Sequence, residues 1–246
     1  MRTSNPTLRP DTFNRYAYLT GTDPQTRMTV NGAINKSIVL FGALLLSGIG
    51  AAALTISNPA LGMPMLIGGA VVGFILALVI SFKPNLAPTL SPVYAIAEGF
   101  AIGTISLLYE GVQSGIVFNA MIITASILGL MLLLYRTGIV RATPLFGKVM
   151  MFAIGGICVT YLVDIVMSMF GQHISMIHDS TPIGIGFSLL VCGIAAFSFI
   201  LDFDFIEKGA QSGAPKFMEW YAGFSLLVTL VWLYLEVLRL LSKSRR

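Results

Sequence analysis

The sequence predicts an all-α integral membrane protein, a bundle of seven transmembrane helices. The 246 residues are 56% hydrophobic and 11% charged, whereas a soluble chain has about 25% charged residues. Turn-forming residues also divide the apolar sequence into seven segments, each close to the roughly 20 residues that cross a bilayer core. We therefore expect lipid rather than water to face most of the surface.

The predicted spans are separated by polar or turn-forming stretches such as Asn58-Pro59 and Gly171-Gln172. They are Lys36–Ile56, Ala60–Phe82, Leu90–Tyr109, Gly115–Tyr135, Phe146–Phe170, Pro182–Ile206 and Glu219–Leu241. Spans one and two are rich in Gly, Ala and Ser, which favours close helix packing. Residues 1–34 are predicted to form a polar tail, residues 35–242 the transmembrane domain and residues 243–246 a basic end. The tail has no apolar core of the kind a signal peptide needs.

The basic residues predict an orientation, because cytoplasmic loops collect Lys and Arg. If the protein lies in the inner (plasma) membrane with its amino-terminal tail in the cytoplasm, every loop with a basic residue falls on the cytoplasmic side. The carboxyl-terminal group breaks this pattern, since seven crossings place it outside; its members are Arg239, Lys243, Arg245 and Arg246. Either the early helices set the orientation, or the last segment dips in and returns, and we favour seven crossings. Because the basic residues are scattered, the net charge of +4 fits topology better than nucleic-acid binding.

Carboxylates inside the apolar segments are the candidate functional residues, because an ionised carboxylate in hydrocarbon costs about 2.5–3.5 kcal/mol even on gentle insertion scales. The richest stretch is FSFILDFDFIE, residues 197–207. A helix rises about 1.5 Å per residue, so the position of an acid in its span predicts its depth. Four acids fall towards the inner face and could form an acidic mouth there: Glu98, Asp202, Asp204 and Glu219.

Asp164 and Glu236 are predicted to share the outer third of the membrane, so the two groups of acids suggest the ends of a cation path. Asp202 and Asp204 point about 200° apart, so only one of them can face the bundle interior. Glu236 has Arg239 three residues on, a spacing that permits a local ion pair. Glu219 is the first residue of its span, so a solvated position at the membrane interface is an alternative to a functional role for this acid.

The cysteines and histidines do not form a pattern that indicates enzymatic activity. Cys158 and Cys192 lie inside apolar runs and are expected to be packing residues rather than a disulfide or a metal pair. The two histidines, His173 and His178, lie in one loop without a hydrolase pattern around them. We therefore expect no catalytic residue and no cofactor.

Four strings in order along the chain carry a resemblance to a known family. They are SNPTL near the start, SPVYAIAEGFAIGTIS at 91–106, FILDFDFIE in span six and GAPKFMEWYAGFSLLVTLVWLYLEVLRLL at 213–241. The chain resembles the transmembrane Bax inhibitor motif family, in its bacterial YccA-like branch. The resemblance implies seven helices with the last one central, and a pH-sensitive calcium leak whose sensor is a pair of aspartates on the last two helices.

The resemblance assigns Asp202 to the first sensor position and Glu236 to the second. The depth count separates these two residues, so Glu219 or Glu98 remains an alternative second carboxylate. The basic residue that latches the sensor in the family has no match within span two, where Lys83 lies at the end. Two carboxylates that meet in a low-dielectric site cannot both stay charged and titrate as a unit. When ionised they offer oxygen ligands suited to calcium, with Asp202 as a transient site.

Two functions follow as hypotheses. The first is a pH-sensitive cation leak, with calcium as the expected ion and protonation of intramembrane carboxylates as the gate. The alternative is a non-conducting regulator of membrane proteases or stress responses. The expected partners are accordingly the lipid bilayer, calcium or another cation, and, for the second hypothesis, a membrane protease.

Overall fold

The computed structural model describes residues 26–244, which are helical through most of their length. Most of the predicted polar tail (1–25) and the last two residues of the basic end, Arg245 and Arg246, lie outside the described residues. Seven long helices in the described part are each long and apolar enough to cross a membrane, which confirms the predicted seven-helix all-α fold. They are α1 (Val30–Ser57), α2 (Gly62–Phe82), α3 (Ala87–Val112), α4 (Ile116–Arg136), α5 (Pro144–Met169), α6 (Pro182–Gln211) and α7 (Met218–Ser244).

The connections between helices are short. Two single 3₁₀ turns, Pro59–Leu61 and Pro84–Leu86, lead into α2 and α3, and a short helix, Ser175–His178, lies between α5 and α6. Residues 26–244 contain no strand, although one isolated antiparallel bridge pairs Arg27 with Pro215.

Several helix ends differ from the predicted spans, and two of the differences concern α1 and α7. Helix α1 begins at Val30 rather than Lys36, because Thr29 caps it by accepting a hydrogen bond from the Gly32 amide at 2.9 Å. Helix α7 is unbroken over 27 residues, a rise of about 40 Å. The alternative in which the last segment dips in and returns is therefore wrong. Helix α7 also includes Lys243, which was assigned to the basic end.

The chain divides into two compact units. Unit one contains the described residues up to Val112 together with Asp202–Val228, and unit two contains Gln113–Leu201 and the residues from Thr229 onward. Unit one therefore holds α1, α2, α3, the end of α6 and the start of α7. Unit two holds α4, α5, the start of α6 and the end of α7.

In unit one, α1 and α2 both pack along α3. A Cβ atom added at Gly103 would overlap the backbone of Gly48, and one added at Gly99 would overlap the Ser47 hydroxyl. The predicted role of small residues in close helix packing is thus confirmed for α1, whose small residues lie against glycines of α3.

The segment before α1 is tied to the turn between α6 and α7, also in unit one. The Met28 amide donates to the Ala214 carbonyl at 2.7 Å, and the Lys216 amide donates to the Thr26 carbonyl at 2.9 Å. Gly213 lies in this turn with a φ of 67°, a conformation that favours glycine. The amino-terminal end of α1 is therefore held against the start of α7.

In unit two, α5 ends at a glycine turn that redirects the chain into the loop 170–181. Gly171 has a φ of 74°, and the next amide, that of Gln172, donates back to the Met167 carbonyl at 3.0 Å. This is the usual way in which a helix ends on a left-handed glycine.

Candidate functional site

Asp202 is the acid of α6 that faces the protein interior. Its residue surface is 3% exposed, and its Oδ1 accepts a hydrogen bond from the Ser225 hydroxyl of α7 at 2.8 Å. Asp204, two residues on, instead pairs with Lys208 at 2.5 Å on the more accessible side of the helix. The prediction that only one of these acids faces the interior is confirmed, and Asp202 is that acid.

Glu219 is buried, so the interpretation of this residue as a solvated interface acid is wrong. Its residue surface is 3% exposed, and its Oε1 accepts hydrogen bonds from the backbone amide and the hydroxyl of Thr29, each at 3.0 Å. A Cβ atom added at Gly32 would overlap this carboxylate, so the site needs the small residue. A negative charge at the first turn of α1 is also favourable to the helix dipole.

Glu98 lies on α3 against the glycine-rich face of α2. A Cβ atom added at Gly73 would overlap the Glu98 carboxylate, so the missing side chain at position 73 makes room for it. The Glu98 side chain is neither fully buried nor fully exposed. This acid therefore lies in a gap between two apolar helices.

Glu236 has the local partner that its spacing predicts, and a second one that the sequence did not indicate. Arg239 Nη1 donates to both carboxylate oxygens, at 2.9 and 3.0 Å, which confirms the i, i+3 ion pair. The Tyr161 hydroxyl of α5 donates to Glu236 Oε1 at 2.8 Å and accepts from Arg239 Nη1 at 2.5 Å. Glu236 is 2% exposed, and its charge is compensated by this three-residue cluster.

Asp164 finds its partners in the loop that directly follows its own helix. The Ile174 amide donates to Oδ1 at 2.9 Å, and His178 Nε2 lies 2.8 Å from Oδ2. No hydrolase pattern surrounds the histidines of this loop in the sequence, and the contact between His178 and Asp164 was not predicted. The sequence gives little indication of this contact, because no local pattern shows that the loop folds back onto α5.

Lys243, counted from the sequence only among the basic carboxyl-terminal residues, is buried. Its residue surface is 5% exposed, and Nζ donates to the Met176 carbonyl, the Gly184 carbonyl and the Ser188 hydroxyl, at 3.0, 3.1 and 2.9 Å. All three ammonium donors are thus used. This residue ties the end of α7 to the loop 170–181 and to the start of α6.

The six candidate acids divide between the units as the depth count grouped them. Unit one holds Glu98, Asp202, Asp204 and Glu219, and unit two holds Asp164 and Glu236. Asp202, Asp204 and Glu219 each bind a different partner within unit one.

Metal and disulfide chemistry is limited in the described part of the chain. No group of three or more His, Cys, Asp and Glu side chains among residues 26–244 is placed to hold a metal ion. Cys158 is an exposed free thiol and Cys192 a buried one, so only Cys192 has the buried position expected of a packing residue.

Comparison with known proteins gives one match. The family model described as Bax inhibitor 1 like matches residues 5–246, which includes all seven helices. No curated protein matches the chain, and no solved structure does.

Proposed function

We propose a function on the premise that this chain belongs to the Bax inhibitor 1 like family: it is a pH-sensitive cation leak channel of the membrane. Protonation of intramembrane carboxylates controls the flux, and calcium is the expected ion. We place the protein in the bacterial YccA-like branch of the family. We further propose that it lies in the inner (plasma) membrane, with its amino terminus in the cytoplasm.

The observation that carries this proposal is the environment of Asp202. The carboxylate is buried within a long apolar helix and bonded to a neutral hydroxyl, that of Ser225, at 2.8 Å. Glu236, by contrast, lies next to the Arg239 guanidinium, and Glu219 caps the start of α1. We therefore propose that Asp202 is the acid that exchanges a proton or a cation.

Ser225 suits this exchange because a hydroxyl both donates and accepts. It donates to the ionised carboxylate and can rotate to accept from the protonated carboxyl group. Both protonation states of Asp202 thus keep a hydrogen bond to Ser225. When ionised, the carboxylate offers the hard oxygen ligand that calcium prefers.

Conduction requires that the ion binds well enough to enter and weakly enough to leave. One buried carboxylate meets this requirement better than a closed cage of several acids. Glu98, which lies in the gap at Gly73 of α2, supplies a second oxygen group in unit one. We assign the remaining acids to structural support, and we propose no enzymatic activity and no cofactor.

The test is calcium uptake by liposomes that contain the purified protein, measured across pH. We expect the wild type to conduct with a clear pH dependence and Asp202→Asn to lose most of that dependence, because the amide does not titrate. The matched control is Glu207→Gln, an exposed acid of the same helix, which should behave as the wild type does.

Two results would contradict the proposal. The first is identical pH profiles for the wild type and Asp202→Asn. The second is the absence of flux through folded wild-type protein, which would favour the regulator of membrane proteases or stress responses, since a regulator needs its partner.

A further inference from the structure

We propose that His173 and His178, in the loop 170–181 that follows α5, form a binding site for a late first-row transition-metal ion. Asp164 is the carboxylate that orients His178 in this site. The inference does not depend on the proposed leak, because it concerns a solvent-accessible loop and a different class of ion.

The two imidazole rings already lie at the separation that a shared ion requires. Their centroids are 5.4 Å apart, and their planes are inclined at 81°. A ligating imidazole nitrogen lies about 2 Å from its metal, so two rings that share an ion have centroids roughly 5–6 Å apart. The separation is thus compatible with a shared ion, and the exposed His173 side chain needs to turn only one ring nitrogen towards it.

Asp164 gives His178 the arrangement that metal-binding histidines usually have. His178 Nε2 lies 2.8 Å from Asp164 Oδ2, which leaves Nδ1 as the nitrogen for an ion. A carboxylate bonded to the second ring nitrogen selects the tautomer, orients the ring and makes the ligating nitrogen more basic. The carboxylate also accepts a hydrogen bond from the Ile174 amide at 2.9 Å. This bond fixes the position of the carboxylate and therefore the orientation of His178.

The loop that carries the histidines is anchored rather than loosely attached. Lys243 donates to the carbonyl of Met176, which lies in the short helix Ser175–His178, between the two histidines in sequence. The side that would face an ion is nevertheless open, since His173 is exposed and the His178 side chain is 48% exposed. Ions can therefore reach the rings from solvent without unfolding the loop.

The ligand set selects the class of ion. Imidazole suits Zn²⁺, Cu²⁺ and Ni²⁺, whereas Ca²⁺ and Mg²⁺ prefer oxygen. No third His, Cys, Asp or Glu ligand completes a site among the described residues, so water must fill the remaining positions. We therefore expect exchangeable binding, with Cu²⁺ held more tightly than Zn²⁺.

The test is equilibrium binding of Cu²⁺ and Zn²⁺ to the full-length protein in nanodiscs, with any affinity tag removed. We expect one equivalent of Cu²⁺ at neutral pH and weaker binding at acidic pH, because both imidazoles must be neutral to ligate. The electron paramagnetic resonance spectrum of bound Cu²⁺ should show nitrogen ligands. Asp164→Asn should weaken binding about 10- to 100-fold, as changes behind a ligating histidine do.

His173→Ala is the decisive variant, because its side chain is exposed and its loss should leave the fold intact. It should abolish stoichiometric binding, while Gln172→Ala, at an exposed neighbouring position without an imidazole, should retain it. Unchanged Cu²⁺ binding in His173→Ala and in His178→Ala would overturn the proposal. So would the absence of a one-equivalent site in the wild type.

Discussion

Removing the Glu219 side chain should loosen the start of α1, although the two residues concerned, Thr29 and Glu219, are 190 positions apart in the sequence. Glu219→Ala deletes two hydrogen bonds to Thr29, both to a charged acceptor. Bonds to charged groups contribute about 1.5–3 kcal/mol each. Thr29 is exposed, so water replaces part of this loss, and we expect a net cost of about 2 kcal/mol for opening the first turn.

Hydrogen exchange measures this cost locally. Since 1.4 kcal/mol is tenfold in an equilibrium constant, the amide of Ala33 in the first turn of α1 should exchange about 30-fold faster in Glu219→Ala. Glu219→Gln keeps an acceptor oxygen without the charge and should have a smaller effect. Glu207→Ala, at an exposed acid of α6, is the control and should change little. A change below about threefold at Ala33 in Glu219→Ala would refute this account, since about 2 kcal/mol corresponds to about 30-fold.

Two further predictions test packing and charge. Gly103→Val should lower the free energy of unfolding in detergent by about 1–3 kcal/mol, because its Cβ would overlap the Gly48 backbone. The control is Gly50→Val, where the added atom meets open space and the free energy of unfolding should not fall. Equal thermal stability of the two variants would contradict the packing argument. Arg239→Gln should lower the free energy of unfolding by about 3–5 kcal/mol, because it leaves Glu236 buried without its ion pair. Equal thermal unfolding of the wild type and the variant would show that the ion pair does not contribute to stability.

Several features follow from the sequence because they depend on helix geometry alone. The seven helices correspond to seven apolar segments of the right length, and each was expected from hydropathy and turn residues. The 100° step between helix residues separates Asp202 from Asp204, and the i, i+3 spacing pairs Glu236 with Arg239. In each case the partners lie within a few residues, so the local backbone brings them to their positions.

The contacts that only the tertiary structure decided join segments that are distant in the sequence or linked by a turn. Glu219 reaches Thr29 because the segment before α1 docks on the turn before α7, and Lys243 becomes buried because α7 ends against a loop. Asp164 meets His178 because the glycine turn at Gly171 folds the chain back. Hydropathy places an acid within a helix, but the charge or hydroxyl beside it depends on which helix faces pack together.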